Sequence, residues 1–195
     1  MAIILVENLG LKKGIAVDCI FHPKITYRFT YRVMSPLEKA QAEYATFIDQ
    51  FKSTIISTVN AQEVPNASYT PCIIDEAKNI YIFVSGLSTH TKNLYENPLV
   101  SVLFIEDEAQ TKQIFARRRL TFDCEANLLD RDTEQWTEIV DRFQARFGEI
   151  IEMLRSLPDF RIFQLTPKSG RFVLGFGAAY AVDGEQLNQL TQVTG

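Results

Sequence analysis

Residues 79–107, NIYIFVSGLSTHTKNLYENPLVSVLFIED, decide how this chain folds. Two β-rich runs flank a short polar segment that opens a helix. Ile80–Val84 alternates and is β-branched or aromatic, and Leu99–Ile105 is apolar almost throughout, so both read as strands of a well-buried sheet. Between them lies Ser88-Thr89-His90-Thr91-Lys92-Asn93. Hydroxyls at a helix start satisfy free backbone N–H groups, and those same groups, with the positive end of the helix dipole, attract an anion. Lys92 adds a full charge, which gives the segment the make-up of a phosphate cradle. The plainer reading is a helix cap beside a solvated lysine. Asn97-Pro98 stops the helix, because the residue before a proline is pushed out of the helical region.

The surroundings of this stretch are strand-rich. Apolar Leu37, Ala40, Tyr44, Phe47, Ile48 and Phe51 recur at helical spacing and predict an amphipathic helix over Pro36–Phe51. It begins at a capping box in which Ser35 is the N-cap, Pro36 the first helical residue and Glu38 the reciprocal partner. Ser53–Asn60 and Asn66–Asp75 read as strands flanking a hairpin-like break, and Arg117–Leu129 as a long strand after a polar stretch at Asp107–Gln113 that reads as a loop or a helical turn. Thr133–Leu157 reads as one long helix ended by Pro158, and Arg161–Val182 as strand, Pro-Lys-Ser-Gly turn, strand and Gly-rich bend. About six closely spaced strands with few helices between them favour a closed antiparallel sheet over alternating β-α-β units. Gly175-Phe176-Gly177 is no dinucleotide motif: it lacks a third glycine and opens no crossover helix.

Composition sets outer limits. With 195 residues, 46% of them hydrophobic, the chain is long enough for one substantial core. A net charge of −4 gives no general attraction to nucleic acid or anionic membrane, so an anion must be held locally. No apolar run is long enough to span a bilayer and no secretory leader is legible, which makes the cytoplasm the expected compartment. Cys19, Cys72 and Cys124 are odd in number and widely spaced, fitting neither a disulfide framework nor a zinc knuckle. Residues 1–33 carry a charge of +3 against −7 for the remainder, with no clear period. They are expected to be an atypical extension, with Met34 as functional start and residues 34–195 as the folded domain; the alternative is an edge strand at Thr26–Val33. His90 is the only histidine besides His22, and no serine or cysteine is marked as a nucleophile, which argues against hydrolysis. Arg117-Arg118-Arg119 supplies a second cationic point able to hold phosphate or carboxylate, or else merely guards a strand edge. Glu106-Asp107-Glu108 reads as a solvated loop.

The order strand, Ser-x-x-x-Lys-Asn-Leu, Asn-Pro, strand, Arg-rich strand start resembles the split-barrel flavoproteins related to pyridoxamine 5′-phosphate oxidase. Phe104–Glu108 (FIEDE), Phe115–Phe122 (FARRRLTF), Arg146–Ile151 (RFGEII) and Gly170–Tyr180 (GRFVLGFGAAY) are similar to the HugZ/HutZ-type haem-utilisation branch, over roughly Ser35 to Leu190. The resemblance implies an α+β fold, a six-stranded antiparallel split β-barrel with flanking helices, forming a homodimer with cofactor sites at the subunit interface. It implies FMN or haem as cofactor. An FMN phosphate would lie by Ser88, Thr89, His90, Lys92 and Asn93 and by Arg118 and Arg119. Haem would be bound and oxidatively opened to release iron. Branch members carry an axial histidine in a tail beyond the position matching Val193, and the present sequence has none there. That leaves His90, as iron ligand or catalytic group, a tyrosine, or a different mode of binding. The other readings are an FMN-dependent oxidoreductase and a non-catalytic haem or flavin carrier.

Overall fold

A computed structural model describes residues 15–20, 28–183 and 187–193. The chain divides into two compact units, Met1–Ala45 and Thr46–Gly195. In the first, β1 (Ile15–Ile20) pairs antiparallel with β2 (Arg28–Val33), which realises most of the edge strand expected at Thr26–Val33. Residues 1–14 and 21–27, His22 among them, lie outside the described residues, as does most of the stretch read as an extension. The capping box forms as anticipated: Glu38 N–H donates to Ser35 Oγ at 3.2 Å, and Ser35 N–H to Glu38 Oε2 at 2.7 Å. Helix α1 (Pro36–Phe47) follows and tightens into a 3-10 turn at Ile48–Gln50 instead of continuing to Phe51.

The second unit is a closed barrel. Strands β3 (Ser53–Val59), β4 (Pro65–Ile74), β5 (Ile80–Ser85), β6 (Leu99–Ile105), β7 (Arg119–Leu129) and β8 (Phe160–Gly175) are arranged in the order β8-β5-β4-β3-β6-β7. Pairing of β7 with β8 closes the cylinder, and β9 (Ala178–Asp183) and β10 (Gln189–Gln192) extend outward from β8. All of these pairings are antiparallel. The α+β split-barrel architecture predicted from the sequence is therefore present.

The two strands of the opening stretch are buried differently. All of Ile80–Val84 is buried, because Ile80 and Ile82 face the barrel interior while Tyr81 and Phe83 join a second core under α3 (Glu134–Phe147) and α4 (Ile150–Ser156). That outer core centres on Trp136, Ile139, Val140, Phe143 and Ile162. Strand β6 is buried only on alternate residues, Val100, Val102 and Phe104, so its near-continuous apolarity leaves Leu99, Leu103 and Ile105 on the outer face.

Two expected elements differ. The helix over Thr133–Leu157 is broken at Gly148, whose φ of 82° lies in the left-handed region that favours glycine, and its N–H closes α3 on Gln144 O at 2.8 Å. Pro167-Lys168-Ser169-Gly170 is not a turn but part of one sixteen-residue strand, β8. Asp123 pairs with Ser169 and Cys124 with Pro167, so Lys168 is the extra residue of a β-bulge, a place where a strand proline is tolerated. Gly170 has a separate reason: a Cβ there would lie 2.8 Å from Cδ1 of the buried Phe122 ring. The Gly-rich bend is a tight turn, with Gly175 opposite Ala178 and Gly177 at φ 66°, and no helix follows it.

Candidate functional site

The turn from β5 into α2 (Thr89–Glu96) is fixed from its amino-terminal side. Ser85 Oγ donates to Asp159 Oδ2 at 2.6 Å and accepts from Leu87 N–H at 3.1 Å, while Gly86 N–H donates to the Asp159 carbonyl at 2.8 Å. Thr91 Oγ1 donates to Ser85 O at 2.7 Å, tying the first helical turn to the strand end. Ser88 occupies the N-cap with extended backbone, yet its side chain makes no capping bond. A helix start with its cap hydroxyl disengaged leaves N–H groups and dipole free to meet an anion. Thr89 and Lys92 are exposed, and Lys92 makes no ion pair among the described residues.

Not every residue of the predicted cradle faces outward. Asn93 is buried and donates from Nδ2 to Thr58 Oγ1 at 2.9 Å, with Thr58 fully buried; this pair joins α2 to the end of β3 inside the barrel. Thr91 is likewise fully buried. His90 is half-buried. Its Nε2 is out of contact with solvent and has no hydrogen-bond partner among the described residues, and burial lowers the imidazole from its ordinary value of 6.5, which favours the neutral ring.

The arginine cluster stands elsewhere. Arg119 pairs with Ile105 at the far end of β6, whereas Thr58, the anchor of Asn93, pairs with Val100 near its start. Five strand residues at about 3.3 Å each separate Val100 from Ile105 by about 16 Å, so the anchor of α2 and Arg119 lie at different ends of β6. The arginines also differ in engagement. Arg118 donates from Nη2 at 2.6 Å and from Nε at 2.9 Å to Glu106 Oε1, and Thr111 Oγ1 donates to Glu106 Oε2 at 3.0 Å. The hydrogen bond from Arg118 holds the Glu106 carboxyl below its ordinary value. Arg117 donates to the Glu106 carbonyl and, at 2.8 Å, to Glu108. Among the described residues Arg119 donates only to the Arg117 carbonyl, at 3.0 Å, and holds no carboxylate. Glu106 is thus a structural partner of Arg118, whereas exposed Asp107 and Glu108, the latter 70% exposed beside Arg117, keep the solvated character that their sequence suggests.

The donor set suits an anionic group better than a metal held by protein alone. Among the described residues no three His, Cys, Asp or Glu side chains gather to hold an ion. Burial pushes the Cys72 and Cys124 thiols up to about 12, which removes thiolate ligation at neutral pH. Hydroxyls, helix N–H groups, Lys92 and Arg119 fit phosphate or propionate oxygens. A neutral His90 has the protonation state an iron ligand needs, but its buried Nε2 does not reach an exposed group without a shift of the ring. Exposed Tyr69 and Tyr95 are accessible oxygen donors.

The model of the family described as pyridoxamine 5′-phosphate oxidase matches residues 40–174. The chain belongs to this family. Within it, the chain is 42% identical to the heme oxygenase HutZ of Vibrio cholerae over 149 residues, which cover 76% of the chain and 84% of that protein. The crystal structure of HutZ, there called a heme storage protein, superposes with a TM-score of 0.65 at 39% identity, covering 69% of this chain and 96% of that one. Campylobacter jejuni ChuZ superposes with a TM-score of 0.71 at 25% identity over 92% of this chain and 82% of its own. The kinship places the chain on the HugZ/HutZ-type branch anticipated from its motifs.

Sequence reasoning missed Asp159, Ser85, Thr58 and Glu106. The first two are 74 residues apart and meet only because β5 pairs with β8, with Ser85 opposite Phe160; no local pattern announces such a contact.

Proposed function

We propose that this protein is a haem-utilisation protein that binds haem as a homodimer and opens the ring oxidatively to release iron. The observation that carries the reading is the 42% identity with a protein named heme oxygenase, spread over three quarters of the chain. The placement of charge supports it. Among the described residues Lys92 and Arg119 are cations without carboxylate partners, near opposite ends of β6. In the proposed homodimer a second copy would be needed to bring the Arg119 end of one barrel to the Lys92 end of the other. Register offers a surface for that copy: Tyr69, Ile55 and Leu103 are level with one another across β4, β3 and β6 on the outer face, with Tyr69 and Ile55 exposed by 68% and 39%.

Bound haem supplies a redox-active iron and the ring to be opened. This chain's own residues supply the rest. Lys92 and Arg119 would neutralise the propionates, the α2 N-terminus would orient one of them, and His90 would serve as ligand or hydrogen-bond partner once its ring shifts to free the buried Nε2. Free, buried thiols suit a reducing compartment, in keeping with action in the cytoplasm.

A second reading has its own observation. The disengaged Ser88 hydroxyl at the α2 start is the arrangement that a phosphate ester would complete, which favours FMN and a flavoprotein or carrier role. Reconstitution separates the two: a Soret band that survives gel filtration at one haem per chain supports the first, and yellow flavin bands support the second. Absence of both at near-stoichiometric cofactor overturns both. For ring opening, haem with a reductant and catalase must lose the Soret band and release iron. Sedimentation at micromolar concentration must give twice the chain mass of 22.2 kDa.

A further inference from the structure

We propose that Asp159 is a positioning residue for the cofactor site, acting through Ser85 on the aim of the α2 N-terminus; this rests on the reading of that terminus as the anion-binding end. Asp159 lies in the segment joining α4 to β8, outside every motif that marks the site. From there it receives the Ser85 hydroxyl on its carboxylate at 2.6 Å and the Gly86 N–H on its carbonyl at 2.8 Å. The same Ser85 accepts Leu87 N–H through Oγ and Thr91 Oγ1 through its carbonyl. Strand end, turn and first helical turn thus meet at Ser85 and Asp159, two of the bonds running through the Ser85 hydroxyl and two through the Asp159 and Ser85 carbonyls. Gly86 is part of the fit, since a Cβ there would stand 3.0 Å from Asp159 O. Ser88 contributes no cap bond of its own; Asn93 anchors the body of α2 to Thr58, and the Ser85–Asp159 latch holds its start. A group that orients binding groups from behind acts on affinity by preorganisation, and its loss typically costs about tenfold or more.

The test titrates haemin (Soret absorbance) and FMN (fluorescence quenching) into the full chain and its Asp159→Ala, Asp159→Asn, Ser85→Ala and Lys92→Ala variants, well below their melting temperatures. Asp159→Ala and Ser85→Ala should each weaken the ligand that the parent protein binds by about tenfold, and the double variant by no more than either alone, because they break the same link. Asp159→Asn keeps an oxygen acceptor for Ser85 and should bind within about twofold of the parent. Should Asp159→Ala fail to fold, Ser85→Ala and Asp159→Asn carry the comparison. Parental affinity in both Ser85→Ala and Asp159→Ala beside a weakened Lys92→Ala would overturn the positioning role and leave the proposed function standing. Parental affinity in Lys92→Ala would remove the anion site and this inference with it.

Discussion

Replacing Asn93 by alanine separates a structural residue from a cofactor ligand within the same six-residue segment. Asn93 Nδ2 donates to Thr58 Oγ1 at 2.9 Å, and both side chains are buried, Thr58 completely. The variant removes one partner and strands a buried hydroxyl, which costs about 1–3 kcal/mol. Taking about 2 kcal/mol, and about 2–4 °C per kcal/mol for a domain of this size, the melting temperature should fall by about 4–8 °C. Replacing both partners by apolar groups of similar shape, Thr58→Val with Asn93→Leu, strands nothing and should recover most of the loss. The assay is thermal unfolding followed by circular dichroism, paired with cofactor affinity at 15 °C, where the parent and both variants are folded. The reasoning is refuted if Asn93→Ala melts with the parent protein while losing cofactor, for Asn93 would then be a ligand group and its bond to Thr58 incidental.

Other outcomes follow from the same geometry. Lys92→Ala should weaken cofactor retention by about tenfold or more, the worth of one charge-assisted hydrogen bond, without lowering the melting temperature. His90→Ala should alter the visible spectrum of the haem-loaded protein while leaving FMN affinity unchanged; an unaltered haem spectrum would remove His90 as ligand or neighbour. Gly170→Ala drives a methyl into Phe122 and should cost about 1–3 kcal/mol in denaturant unfolding, less in a Phe122→Leu background. Glu106 has its carboxyl lowered in the fold, so it stabilises the protein above its ordinary value of 4.5 and loses that contribution as the pH falls through its lower folded value. The melting-temperature gap between parent and Glu106→Gln should therefore be widest near neutrality and close on acidification; a gap independent of pH would show that the Arg118 pair contributes nothing through its charge.

What the sequence discloses is local chemistry read at the right period. Ser35 and Glu38 announce a helix start that forms bond for bond, and the run Ile80–Val84 announces a strand buried on both faces. The apolar run Leu99–Ile105 misleads, because composition does not say that its odd-numbered residues face outward. Pro167 to Gly170 has turn composition but is carried through as a bulged strand by long pairing with β7, an instance of tertiary pairing overriding local preference. The candidate site divides in the same manner. Ser88 takes the N-cap position without a cap bond and Thr89 and Lys92 are exposed beside it, whereas Asn93 turns inward to a partner 35 residues away and Arg118 is held by Glu106. Chain folding, not residue type, separates the exposed members from the spent ones.

Strand β8 serves two masters along its length. Its first part lies between β5 and β7, its last part between β9 and β7, and the bulge at Lys168 falls between those regimes. The sealing ladder before the bulge is therefore independent of β9, while Gly170–Val173 pair with both β7 and β9. The outer hairpin borders the cylinder along one edge only, anchored by buried Tyr180, Val182 and Leu190, so it should open at lower cost than the sealed strands. Hydrogen exchange should register this as two tiers, slow amides in Phe160–Leu165 and faster ones in Ala178–Asp183, so sensitivity to protease or temperature at the outer strands need not report on the integrity of the binding end.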